Sequence, residues 1–157
     1  MGVVIAAQEE GNRIGRIRMA RIVDGSAEHL HRFIQGAIVQ GSCVHTDGWK
    51  PYHGLDQLGY PHEVSKLKGQ QPSAATELLP RVHRVASLLK RWLLGTHQGA
   101  IAPEHLDYYL DEFTFRFNRR TSASRGKLFY RLAQQAVQLP PVPYQMLVGG
   151  ANNPKTP

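Results

Sequence analysis

A chain of 157 residues, 41% hydrophobic and 20% charged, has room for one domain with its own core and is not composed like a disordered protein. Lys and Arg outnumber Asp and Glu by 19 to 12, a formal net charge of +7, which favours an anionic partner, nucleic acid first. A single cysteine, Cys43, excludes an intrachain disulfide or a cysteine-built zinc site, and no apolar run approaches the roughly 20 residues of a membrane span, so a soluble, cytoplasmic protein with no membrane partner is expected.

Val3 to Ala7 is a short apolar run followed by the turn-type cluster Glu9-Glu10-Gly11-Asn12, and Ile14 to Val23 alternates apolar residues with arginines. The pattern predicts two strands folded as a hairpin. After Asp24-Gly25-Ser26 the spacing changes to Leu30, Phe33, Ile34, Ala37 and Ile38, a helical stripe with Ser26 as its N-cap. Ser42 to Thr46 reads as a third strand that delivers Asp47 at its end, before Gly48 and Trp49 in a turn. Tyr52 to Gln71 has no clear period and reads as loop, with a short strand possible near His62-Glu63-Val64. Pro80 opens a helix with the stripe Val82, Val85, Ala86, Leu89 and Leu93, ending near Leu94 before Gly95. A third helix begins near Pro103 with Leu106, Tyr109, Leu110, Phe113 and Phe117 on one face. A fourth covers Leu128 to Val137, and from Leu139 prolines and glycines describe a tail.

Asp47, at the end of a strand and before a glycine, stands where loops of an open sheet gather and a carboxylate can hold a divalent cation; an Asp-Gly turn serves equally well to close a strand. His83 and Lys90 are seven positions apart, so at about 100° per residue they lie within roughly 20° of one another on one helix face, at the rim of the apolar stripe. Basic residues gather around Arg84, Lys90 and Arg91 and again at Arg119, Arg120 and Arg125, two patches able to meet phosphates. Phe113 and Phe117 belong to an apolar face and read as core rather than as stacking platforms. The eight histidines show no compelling zinc spacing, His29 and His31 included.

Three stretches carry a family resemblance: Val44-His45-Thr46-Asp47-Gly48-Trp49 with Tyr52; Val82-His83-Arg84-Val85 leading to Leu89-Lys90-Arg91-Trp92-Leu93-Leu94-Gly95-Thr96-His97; and Leu110-Asp111-Glu112-Phe113-Thr114-Phe115-Arg116-Phe117-Asn118-Arg119-Arg120. From Val3 to about Val137 the chain resembles DDE-type transposases of the IS-fifteen-ninety-five insertion-sequence group, within the RNase H-like, retroviral-integrase superfamily. The resemblance implies two aspartates and a third residue followed seven positions later by Lys or Arg. Asp47 would then be the second aspartate, His83 the third metal ligand or a proton-transfer group, and Lys90 a phosphate contact. It also implies Mg²⁺ or Mn²⁺ as cofactor, DNA as partner (element ends and target), and phosphodiester hydrolysis followed by strand transfer. A homo-oligomer or a full-length transposase would be the protein partner.

The resemblance places the first aspartate on a strand upstream of Val3, and Glu9, Glu10 and Asp24 do not fit that role. The expectation is therefore an amino-terminally truncated α/β domain at residues 1–138. It would hold an RNase H-like mixed sheet flanked by helices, without its first strand and with a carboxyl-terminal helical extension, and residues 139–157 would be a disordered tail. Two functional readings stand beside each other: a transposase catalytic-domain fragment, and a catalytically inactive remnant that docks DNA or a full-length transposase. An RNA-processing nuclease on the same fold is a third, with no residue that singles it out.

Overall fold

The computed structural model describes residues 1–65, 79–99, 101–124 and 126–144. The first two apolar segments pair as an antiparallel hairpin, β1 (Gly2–Glu10) and β2 (Arg13–Ile22). The register runs from Gly2 opposite Ile22 to Glu10 opposite Arg13, with an irregularity between Ala7 and Glu9. Gly11 closes the turn at φ +55°, a left-handed conformation that glycine adopts without strain. Because side chains alternate along a strand, Ile5, Ala7, Ile17 and Met19 share one face, where Ile17 is fully buried. Val4 points to the other and is buried there.

Helix α1 (Ala27–Ala37) starts after Ser26 as the sequence predicts, yet the Ser26 hydroxyl makes no capping bond. The turn is instead organised by Asp24, whose Oδ1 accepts from the Ser26 N–H at 2.9 Å and lies 2.8 Å from His29 Nδ1. Leu30 and Ile34 form the buried stripe of α1, which packs on both strands of the hairpin. Ile34 also enters a second core cluster with Val44, Leu55 and Tyr60. There β3 (Val44–Thr46) pairs in parallel with β4 (His62–Val64), Val44 opposite His62 and Thr46 opposite Val64.

Among the described residues the strands thus form two separate two-stranded sheets, joined through α1, where the sequence predicts one mixed sheet. The aperiodic stretch after Trp49 contributes core through two single-turn 3-10 segments, Lys50–Tyr52 and Asp56–Leu58. Leu55 between them is fully buried and Tyr60 is 3% exposed. Periodicity carries no signal for such a segment, since its apolar side chains are inserted by turns rather than by a repeating face.

Helix α2 (Pro80–His97) and helix α3 (Leu106–Asn118), the latter entered by a 3-10 turn at Pro103–His105, cover the Ile17 face of the hairpin. Val85 and Leu89 from α2 meet Leu110, Phe113 and Phe117 from α3 there, each burial contributing on the order of 1.5–3 kcal/mol. α2 runs through Gly95 rather than stopping before it, since one interior glycine costs only about 1 kcal/mol. It ends where Gln98 and Gly99 turn left-handed at φ 52° and 74°. Helix α4 (Gly126–Ala136) has no buried residue, and Phe129 and Tyr130 on it are exposed. Of the expected disordered tail, residues 145–157 lie outside the described residues. No helix among the described residues is long and apolar enough to cross a membrane.

Candidate active site and nucleic-acid interface

Asp47 sits just past β3, exposed, on a turn fixed from several sides. Its Oδ1 accepts from the Trp49 N–H at 3.1 Å, and the buried Thr46 Oγ1 accepts from the Gly48 N–H at 3.1 Å while lying 2.8 Å from His62 Nε2. Gly48 takes φ +76°, and a Cβ there would overlap Cγ1 of Val64, so both backbone and packing require glycine. Trp49 meets Tyr52 edge to face at 6.4 Å and lies over Gly25, leaving no room for a Cβ at that position. Tyr52 is half-buried; burial first, and the Asp47 carboxylate second, push its hydroxyl above the usual pKa of 10.0.

His83 is half-buried in the first turns of α2, and Lys90 is exposed two turns further along the same face. Arg84 and Arg91 are exposed beside them. The amino end of α2 is tied to the tip of the β1–β2 hairpin: Arg81 pairs with Glu9 at 2.8 Å and donates to the Gly11 carbonyl. The turn bearing Asp47 is tied instead, through Trp49, to Gly25 in the connection that follows β2. No hydrogen bond or ion pair joins Asp47, His83 and Lys90 among the described residues.

Magnesium favours a near-octahedral shell rich in oxygen. Among the described residues no group of three or more His, Cys, Asp or Glu could hold a metal ion, so the single exposed carboxylate of Asp47 does not by itself fit the ion.

The arginines after α3 divide by role. Arg120 donates to the carbonyls of Gly15 at 3.3 Å, Phe117 at 2.9 Å and Ile14, and lies 3.9 Å over the Phe117 ring, so its guanidinium fastens α3 to β2. Arg119 stacks 3.8 Å over Phe115 and makes no ion pair among the described residues. Arg125 lies outside the described residues. Charge density in the sequence found this cluster and could not separate the structural arginine from the free one.

A family model described as ISXO2-like transposase domain matches residues 2–118, three quarters of the chain, and the chain belongs to that family. The match bears out the insertion-sequence group to which the sequence motifs point. No curated protein and no solved structure matched the chain.

Proposed function

We propose that the chain acts in DNA transposition as the strand-processing domain of an insertion-sequence transposase, with Asp47 as a catalytic carboxylate and His83 and Lys90 as its helix-borne companions. One observation carries the catalytic reading within this family. Asp47 is exposed at a strand end and held by the Trp49 N–H, on a turn whose glycine any other residue would strain. Family membership supports Mg²⁺ or Mn²⁺ as the cofactor; Asp47 would supply one oxygen ligand, and the described residues do not complete a shell around it. DNA is the partner, contacted by Lys90, Arg84 and Arg91 along exposed positions of α2 and by Arg119 beyond α3. A second copy of the chain or a longer transposase is the protein partner.

The want of a group of three or more metal-ligating side chains among the described residues supports a second reading, in which the chain docks DNA or a transposase without cutting. Nicking of terminal-repeat DNA with Mg²⁺ or Mn²⁺, compared between the parent and Asp47→Asn, decides between them. Activity lost in Asp47→Asn establishes the catalytic reading, and DNA binding without any Asp47-dependent nicking establishes the second.

A further inference from the structure

The turn between α3 and α4 borders an open cavity of about 260 Å³. Arg119, Lys127 and Arg131 line it with the hydroxyl residues Ser122 and Ser124, and no carboxylate does. Arg116 pairs with Glu112, Arg21 with Asp107, Arg32 with Glu28 and Arg81 with Glu9, whereas Arg13, Arg16 and Arg18 on β2 and Arg84 and Arg91 on α2 make no ion pair among the described residues but do not line this cavity. The three cations of the cavity make no ion pair among the described residues.

Three like charges converging on one concavity repel one another unless an anion sits between them. The lining is also ordered before any ligand arrives. The guanidinium carbon of Arg119 rests 3.8 Å from the centre of the Phe115 ring, a contact that restrains the side chain. The Ser122 N–H donates to the Arg119 carbonyl at 3.0 Å and the Lys127 N–H to the Ser124 carbonyl at 3.0 Å, so Ser122 is held against the end of α3 and Ser124 against the start of α4. Lys127 and Arg131, four apart on one helix, project to the same side. Fork, ammonium and hydroxyl donors together match the oxygens of phosphate groups. Three cations exceed the single charge of one phosphodiester and fit successive phosphates of a strand.

We propose that this cavity is a phosphate-binding clamp for the backbone of DNA, separate from the Asp47 turn and independent of metal. The proposal rests on the function proposed above for the premise that DNA is the partner and that Arg119 contacts it, and adds Lys127, Arg131 and the two serines. The test is fluorescence anisotropy of a labelled 20-base-pair duplex across a salt series in EDTA, with the parent, Lys127→Ala/Arg131→Ala, and Arg13→Ala/Arg18→Ala, which removes the same charge from β2.

The cavity variant should bind about 10-fold or more weaker, with the salt slope reduced by about two, roughly one per lost phosphate contact. The β2 variant should bind within about threefold of the parent, and inorganic phosphate should displace the duplex more effectively than chloride of equal ionic strength. Equal weakening by both double variants would show diffuse charge only and overturn the clamp. So would parental affinity in the cavity variant, whether phosphate alone still binds there (a free-anion pocket) or not, and so would failure of the parent to bind duplex. The clamp is read by binding in EDTA and the catalytic reading by nicking with metal, so loss of nicking and loss of the clamp are seen in separate experiments.

Discussion

The side-chain amide of Asn118 grips the backbone of Ile17 from both sides, accepting its N–H at 2.7 Å and donating to its carbonyl at 3.0 Å. Ile17 is paired with β1 through Ala7 on its inner edge, so Asn118 stands where the peptide of a further strand would, and the end of α3 blunts the outer edge of the hairpin. Asn118→Ala leaves both backbone groups without their partner. The expected loss is about 1–3 kcal/mol in urea unfolding, with Asn118→Asp recovering only the bond to the N–H. A loss below about 0.5 kcal/mol would show that water replaces the amide.

Trp49 on Gly25 ties the turn bearing Asp47 to the connection between β2 and α1. Gly25→Ala drives a Cβ into the outer edge of the indole, an end that can swing into solvent because Trp49 is half exposed. The expected outcome is a red shift and stronger quenching of Trp49 emission, read in a Trp92→Phe background, with less than about 1 kcal/mol lost. Unchanged emission would mean that the ring does not rest there in solution.

Asp24 is held well below its ordinary pKa of 3.8, first by the Ser26 side chain, then by the Ser26 N–H and by His29. A carboxyl whose folded pKa is depressed stabilises the fold above its unfolded pKa, and that contribution is lost as pH falls toward the folded value. Parent and Asp24→Asn should therefore differ by a constant Tm gap from pH 7 down to about 5, narrowing below pH 3.8. A gap that widens on acidification would reverse the sign and refute the assignment.

Legibility of the fold divides along physical lines. The stripes through Leu30 and Ile34 and through Val85 and Leu89 are readable because a helix repeats its buried face. Leu55 and Tyr60 are not, since turns place them. The spacing of His83 and Lys90 fixes a helix face but not the end of the hairpin on which that face lands; Arg81 with Glu9 decides it, a contact between residues 72 apart in sequence. For the same reason Arg119 and Arg120 look alike in sequence, although only one of them is engaged by backbone carbonyls of β2.

Tyr52 reports on Asp47 without any assay of activity. Its hydroxyl titrates above the usual 10.0 because burial disfavours the phenolate and the Asp47 carboxylate repels it. A raised folded pKa means that the neutral phenol stabilises the fold below the unfolded pKa and that this contribution disappears as pH rises through the folded value. Asp47→Asn removes the repulsion and leaves the burial, so the Tyr52 titration should move down part of the way toward 10.0 while staying above it. Difference spectroscopy near 295 nm on the parent, Asp47→Asn and Tyr52→Phe isolates the component. If Asp47→Asn leaves that component in place, the carboxylate points away from the Tyr52 side of its turn.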